Sequence, residues 1–157
     1  MTSEIWTPKR ARLFAQFAHC GQTYGDGRDY FSHHVNDVYL RVVEDKGTED
    51  QQIVAYLHDV VEDWPAGITS AMTALRNLCL PNLIFASVVA ITCPSRFTRS
   101  EYYVRVKRNQ DALFVKRRDV ESNVASLTAL ALSDPIRAER LRLKYAKAQK
   151  ELGFECR

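Results

Sequence analysis

The sequence has few cysteines, and no apolar run in it approaches the length of a membrane span. Its four cysteines, Cys20, Cys79, Cys93 and Cys156, are widely spaced, and none forms the Cys-x-x-Cys pair typical of structural zinc sites. We do not expect a disulfide framework in a cytosolic chain of this size. We therefore interpret the cysteines as reduced thiols that are mostly packing residues.

The first nine residues contain no signal-peptide apolar segment, which predicts a cytoplasmic protein. The sequence also lacks internal repeats, low-complexity stretches and linkers, so its 157 residues predict a single domain, 1–157, with a sizeable core. The formal net charge of +3 permits an anionic small-molecule partner such as a nucleotide but does not require nucleic acid. The sequence predicts no membrane partner and no particular oligomeric state.

Strand-like alternation is rare, whereas helix start and stop signals recur along the chain. Thr7-Pro8 caps a first helix, and the segments 48–51 and 98–101 are capping-box patterns. The segment 82–91 is apolar and is interpreted as a buried helix, and Gly153 ends the last helix. These signals predict an all-α, compact bundle of about seven or eight helices.

Three predicted boundaries bear on function. The second helix begins at about Ser32 and ends near Gly47. The central helix, which follows Thr48, continues through Asp63. A later helix, capped by Asn109 or Asp111, runs to about residue 126.

The stretch 53–63 organises the chain, because it inserts four ionisable side chains into an apolar helix. His58 and Glu62 are four residues apart, as are Asp59 and Asp63, so a helix places each pair on one face. Several buried carboxylates need a compensating cation, and a divalent metal accepts both His and carboxylate ligands. A bare His-Asp dipeptide would instead indicate a polar break on a surface helix, so the interpretation depends on other segments.

Two other segments supply ligand types of the same kind. His33 lies near the start of the second helix, and Asp119 lies in a later helix. Lys116 precedes Asp119 by three residues and Asn123 follows it by four, so the three side chains share one helical face.

Taken in order, four segments resemble the HD-domain metal-dependent phosphohydrolases. The branch they resemble is the hydrolase domain of RelA/SpoT-type alarmone enzymes and their small single-domain relatives. The segments are 18–22, 30–33, 57–63 and 115–119 with Asn123, and the resemblance covers roughly 14–127. It implies an HD-domain helical bundle, a divalent metal that is usually manganese, and removal of the 3′-pyrophosphate from guanosine tetra- or pentaphosphate.

The resemblance also implies residue roles. The metal ligands are His33, His58, Asp59 and Asp119. Glu62 and Asp63 match the catalytic acidic pair, which would orient water and accept its proton. Asn123 matches a position that helps to hold the nucleotide. His19 is expected behind the site, and His34, where the family often has Pro, is either a bystander or a substitute ligand; we prefer the bystander.

Departures from the family concern the substrate. Thr23-Tyr24 replaces nucleotide-contacting cations, although Tyr24 could stack on a base. Trp64 and Arg117-Arg118 also depart from the pattern. The phosphate-binding candidates are basic side chains, namely Lys107, Arg108, Lys116, Arg140 and Arg142.

Three alternative functions remain at this stage. The first keeps the metal site and changes the substrate to another nucleotide or dinucleotide phosphate. The second is a nucleotide-binding module without catalysis, against which the Glu62-Asp63 pair argues, because a sensor needs no base. Nucleic-acid binding is the third, and the modest net charge and the lack of a recognised motif argue against it.

Overall fold

The computed structural model describes residues 5–94 and 97–155, which form eight α-helices and one π-helical turn but no extended strand. The helices are α1 Pro8–Ala18, α2 Asn36–Glu44, α3 Glu49–Leu57, α4 Ile68–Asn77, α5 Asn82–Ile91, α6 Arg99–Lys107, α7 Gln110–Ser133 and α8 Pro135–Leu152. The π-helical turn, Phe31–Val35, leads directly into α2. The predicted all-α bundle is confirmed, and no described helix is both long and apolar enough to cross a membrane.

The predicted caps are present. The Thr7 hydroxyl accepts a hydrogen bond from the Arg10 amide at the start of α1. Capping boxes with both reciprocal hydrogen bonds open α3 and α6. Gly153, with a φ of 68°, adopts the left-handed conformation that ends α8.

Two predicted boundaries are wrong. Helix α3 ends at Leu57, and residues 58–63 form an irregular turn in which one helical hydrogen bond, from the Asp63 amide to the Asp59 carbonyl, persists. Helix α7 continues past Ser126 to Ser133. The Ser126 hydroxyl donates to the Ser122 carbonyl one turn earlier, so this serine is satisfied inside the helix and does not end it.

The interior contains two hydrophobic clusters. The main core joins α1–α5, the π-helical turn and the start of α7, and its fully buried members include Val38, Val54 and Leu57. The smaller one, here called the tyrosine cluster, lies between α6, α7 and α8; its buried members are Tyr102, Tyr103, Val106, Val120, Tyr145, Ala148 and Leu152. Because α7 packs against α2, α3, α5, α6 and α8, it joins the two clusters.

The cysteine interpretation is only partly correct. Cys20, Cys79 and Cys93 are free thiols, but the first two are exposed and therefore do not pack in a core. Cys93 is half-buried against the tyrosine cluster. Cys156 lies outside the described residues.

Candidate functional site

His58 follows the last residue of α3 and is fully buried. Its Nδ1 lies 2.7 Å from the carbonyl oxygen of Ala55. A carbonyl can only accept, so Nδ1 carries the proton and Nε2 of the neutral ring keeps its lone pair. The same carbonyl is the acceptor that the next helical hydrogen bond of α3 would use, and α3 ends one residue before His58.

The second imidazole of the site belongs to His34, on the π-helical turn. Its Nε2 lies 3.4 Å from Nε2 of His58 and 3.2 Å from Oδ1 of Asp119. Its other nitrogen, Nδ1, lies 3.2 Å from the Ser122 hydroxyl on α7. The two Nε2 atoms therefore meet between the π-helical turn, α3 and α7.

His33, the predicted ligand, does not reach this cluster, and the neighbouring His34 lies in it instead. The His33 ring meets the Tyr24 ring edge-on at 5.4 Å and lines a separate surface cavity between Arg28 and Arg41. A signal was present in the sequence: Phe31, His34, Val35, Val38 and Val42 form one buried stripe at helical spacing, and His33 lies off it.

Two carboxylates complete the cluster. Asp59 Oδ2 lies 2.9 Å from His58 Nε2 and accepts a hydrogen bond from the Tyr30 hydroxyl at 2.5 Å. Asp119 places Oδ1 toward His34, while its Oδ2 pairs with the Lys116 ammonium at 2.7 Å. Of the four predicted ligands, the structure thus brings together His58, Asp59 and Asp119, with His34 as the fourth residue.

These residues fit a divalent cation. The contacts from the two Nε2 atoms to Asp59 Oδ2 and Asp119 Oδ1 range from 2.9 to 3.8 Å. Ligands about 2.1 Å from one metal ion lie about 3.0 Å apart in octahedral and about 3.4 Å apart in tetrahedral geometry. Ligand atoms of His34, His58 and Asp59 lie within 4.8 Å of one another, so the spacing and donor types of these three residues match such a site; Asp119 Oδ1 lies beside them, 3.2 Å from His34 Nε2.

The charges of the cluster are strongly coupled. Burial opposes the charged form of His34, but contact with Asp119 and Asp59 outweighs it and raises the pKa of His34 to about 9. Burial likewise opposes ionisation of Asp119, yet Lys116 and His34 hold its pKa well below the ordinary value. The pKa of Lys116 is raised well above its usual value, chiefly by Asp119 acting against burial.

Glu62 and Asp63 both line the cavity of about 210 Å³ in front of the cluster. Glu62 Oε1 accepts a hydrogen bond of 2.6 Å from the Cys93 amide, and burial together with the Asp59 charge raises the pKa of Glu62. Asp63 Oδ2 accepts from the Gln22 amide nitrogen at 2.8 Å, and Gln22 Oε1 lies 2.7 Å from Nδ1 of His19. His19 is buried and lies behind Asp63, to which Gln22 connects it.

The cations that line this cavity are Lys116, Arg99 and Lys144. Only Lys116 was among the sequence candidates. Arg140 is exposed on α8 and lines neither this cavity nor the neighbouring one, and Arg142 pairs with Glu139 on the surface. Basic residues are frequent in α6–α8, and nothing in the sequence distinguishes those that turn toward the cavity.

A second cavity, of about 330 Å³, adjoins the first and shares Tyr30, Asn123, Lys144 and Tyr145 with it. Its other lining residues include Tyr24 and an apolar group, Leu127, Leu130 and Leu141. The two cavities together offer a polar, charged compartment next to a more apolar one, an arrangement that suits an amphipathic small molecule.

Comparison with known proteins supports the fold. No family model and no curated protein matches this sequence. Among solved structures, the chain is similar to a metazoan ortholog of SpoT, a protein that hydrolyses ppGpp and plays a role in starvation responses. The TM-score is 0.71 at 20% sequence identity, over 92% of this chain and 84% of that one. The chain therefore has the helical fold of that protein, which confirms the predicted fold class.

Proposed function

We propose that this chain is a metal-dependent phosphohydrolase with a nucleotide substrate, and that it acts as a guanosine 3′,5′-bis(diphosphate) 3′-pyrophosphohydrolase. The observation that carries the proposal is the convergence of His34, His58, Asp59 and Asp119 beside a cavity that is also lined by the carboxylates of Glu62 and Asp63 and by three cations. The activity of the structural neighbour, which hydrolyses ppGpp, supports the choice of substrate.

His34, His58, Asp59 and Asp119 would hold the divalent cation, for which we propose Mn²⁺. When bound, such a cation polarises a phosphoryl oxygen and lowers the pKa of water. The Ala55 carbonyl sets the orientation of the His58 ring, and Tyr30 contributes a hydrogen bond to Asp59. These outer contacts hold the donor atoms in place before any substrate arrives.

Glu62 is the proposed general base, and Asp63 orients the attacking water. The Cys93 amide holds one carboxylate oxygen of Glu62 at the cavity wall. Its raised pKa makes Glu62 a stronger proton acceptor than an ordinary glutamate. Gln22 and His19 restrain Asp63 from behind.

Arg99, Lys116 and Lys144 would bind the phosphates. Partial burial, together with the nearby charges of Arg99 and Lys116, lowers the pKa of Lys144. Cations placed this close around one cavity bind a polyanion well, because an anion beside Lys144 relieves the repulsion from Arg99 and Lys116. A pyrophosphate group supplies such charge.

The second cavity would hold the nucleoside. Leu127, Leu130 and Leu141 provide apolar surface for a base, and Tyr24 lies at the cavity wall. Because this cavity shares Asn123 and Lys144 with the charged one, a nucleotide can span both compartments.

One observation favours a second candidate function, a phosphatase for a different nucleotide or dinucleotide. The family's cations at 23–24 are replaced by Thr23-Tyr24, and the Tyr24 hydroxyl is bonded to Asn123 at 2.9 Å. Positions 23–24 therefore offer an aromatic ring where the family offers positive charge, and the nearby cation of this cavity is Arg137 on α8.

A product screen tests the proposal. Mn²⁺-loaded protein is incubated with a panel of nucleotides that includes guanosine tetraphosphate, and mass spectrometry identifies the products. We expect pyrophosphate and guanosine diphosphate from the tetraphosphate, and none from Glu62→Gln protein. Efficient cleavage of a different nucleotide instead supports the second candidate. Binding without cleavage of any panel member indicates a non-catalytic module.

A further inference from the structure

We infer that Tyr24, Asn123 and Tyr145 form a hydrogen-bonded clamp on Asp119, so that Asn123 is a positioning residue for the candidate metal centre rather than a ligand of the nucleotide. The inference rests on the proposed function, since it assigns Asp119 to the metal. It assigns a role to Tyr24, the residue at which the chain departs from the family it resembles.

The side-chain amide of Asn123 is fully used inside the protein. Its Nδ2 donates to the backbone carbonyl of Asp119 at 2.9 Å and to the Asp119 carboxylate Oδ1 at 2.6 Å. Both partners can only accept, which fixes the orientation of the amide. Its Oδ1 accepts from the Tyr24 hydroxyl at 2.9 Å and from the Tyr145 hydroxyl at 3.0 Å. Two donors and two lone pairs are therefore occupied, and a nucleotide could bond to Asn123 only by displacing one of these partners.

The clamp determines how Asp119 is presented. Lys116 holds one carboxylate oxygen, Oδ2, while Asn123 holds the other, Oδ1, which lies 3.2 Å from Nε2 of His34. The carboxylate is thereby held at both ends. Partners of this kind orient a metal-binding carboxylate and raise the affinity of the site.

Tyr24 also contacts the imidazole side of the centre. It lies on a loop closed by hydrogen bonds from its own amide to the Arg28 carbonyl and from the Tyr30 amide to the Gln22 carbonyl. Its ring stacks on the His34 ring at 5.7 Å, with an angle of 25° between the planes. Tyr24 thus touches one proposed ligand directly and a second one through Asn123.

Tyr145 brings the other end of the molecule into the clamp. It belongs to the tyrosine cluster and lies on α8, whereas Asn123 lies on α7 and Tyr24 on the loop after α1. Three separate segments therefore meet at one amide oxygen. Neither phenol is free to move without loosening the Asn123 amide, whose Nδ2 donates to Asp119.

Metal titration of Tyr→Phe variants tests the clamp, because phenylalanine keeps the rings and removes only the hydroxyls. The set comprises Tyr24→Phe, Tyr145→Phe, the double variant and Asn123→Ala. Tyr56→Phe is the matched control, since the Tyr56 hydroxyl also faces an asparagine oxygen, that of Asn36 at 3.4 Å, outside the metal cluster. Mn²⁺ affinity is measured by calorimetry, and Co²⁺ coordination by visible absorption. Thermal denaturation monitors the fold.

We expect the double variant and Asn123→Ala to bind Mn²⁺ about 10- to 100-fold more weakly and to change the Co²⁺ spectrum. Each single Tyr→Phe variant should lose part of this affinity, and Tyr56→Phe should match the wild type. If the double variant is unstable, the two single variants decide the question. Wild-type Kd and Co²⁺ spectrum in the phenylalanine variants would overturn the clamp and leave the proposed function standing. A rise in KM for Asn123→Ala at unchanged metal affinity would also overturn it, by making Asn123 a nucleotide ligand. Wild-type protein that binds neither ion would overturn both proposals.

Discussion

The main core and the tyrosine cluster border the same cavity but are built in different ways. The candidate metal ligands lie next to the main core, whereas the cations Arg99 and Lys144 come from helices of the tyrosine cluster. The main core packs aliphatic side chains such as Val38, Val54 and Leu57 without exposure to solvent, and His58 lies directly at its edge. The tyrosine cluster depends more on polar contacts: the Tyr102 hydroxyl donates to the Ile91 carbonyl at 2.6 Å and the Tyr145 hydroxyl to Asn123.

The two clusters differ in packing because they support different kinds of functional side chain. Metal ligands need fixed positions, and dry, close packing restrains short side chains well. The tyrosine cluster instead supports Arg99 and Lys144, long and exposed side chains that can adjust to a polyanion. Helix α7 joins the two, since Val115 lies in the main core, Val120 in the tyrosine cluster, and the Lys116–Asp119 pair between them.

Removing the Asp119 carboxylate should have the largest effect on metal binding and turnover. In Asp119→Ala, we expect stoichiometric metal binding and turnover to be lost, because both require this ligand. The Lys116 ammonium then lies buried without its partner, so the free energy of unfolding should fall by about 3 kcal/mol. Calorimetry, metal analysis and chemical denaturation measure these effects. Asp37→Ala, which breaks a half-exposed pair with Arg41, should cost at most about 0.5 kcal/mol; equal losses in both variants would contradict the assignment.

Replacing the proposed base comes next. Glu62→Gln should retain metal and thermal stability but lose about 100- to 10,000-fold in turnover, since the amide cannot accept a proton. Glu139→Gln, on the surface of α8, serves as the control and should retain full activity. Full activity or unfolding of the Glu62 variant would refute the role.

The dependence of the rate on pH also tests whether Glu62 is the general base. A base must be ionised, so the wild-type rate should fall as the pH drops through the pKa of Glu62. Because burial and Asp59 raise that pKa, the fall should occur at higher pH than for an ordinary glutamate. This acid limb should be absent from the residual activity of Glu62→Gln and still present in Asp63→Asn. A limb that disappears only in Asp63→Asn would make Asp63 the base.

Removing the charge of Lys144, one of the cations that line the cavity, should have a smaller effect on catalysis. Lys144→Met should raise KM for the substrate about tenfold and change kcat less, because one charged phosphate contact is worth about 1.5 kcal/mol. Steady-state kinetics separates the two parameters. Lys147→Met removes the same charge from an exposed position of α8 that lines neither cavity, so it should leave KM unchanged. Similar KM values for both variants would rule out a specific contact by Lys144.

The smallest effect on catalysis should come from the interior of the tyrosine cluster. Tyr102→Phe removes the hydrogen bond to Ile91 and should lower the free energy of unfolding by about 1–2 kcal/mol. The ring near the Lys116 ammonium, now 5.5 Å from its centre, is retained. Turnover and metal affinity should therefore stay within about twofold of wild type, and a larger loss would show that this cluster acts on the metal side as well.

Local chemistry made part of the molecule predictable from the sequence. Thr48 with Gln51 and Thr98 with Glu101 start helices because their side chains satisfy backbone amides within the same turn. Asp59 stood out as a carboxylate inserted into an apolar stretch, whereas Asp119, which follows Arg117-Arg118, was singled out only by the resemblance of its segment to a known family. The fold class and three of the four clustered residues were thus predicted from local signals together with that resemblance.

The sequence alone determined the helical character of the chain and the types of side chain in the site. The stripe of apolar residues from Phe31 to Val42 already favoured His34 over His33, because neighbouring residues on a helix point about 100° apart. Tertiary structure decided which distant residues meet His34, such as Asp119 on α7. The hydrogen-bond partners of Asn123 could not be predicted from the sequence either, because Tyr24 lies 99 positions away and Tyr145 lies on another helix. Contacts between distant segments depend on how whole helices pack, and local sequence does not encode that packing.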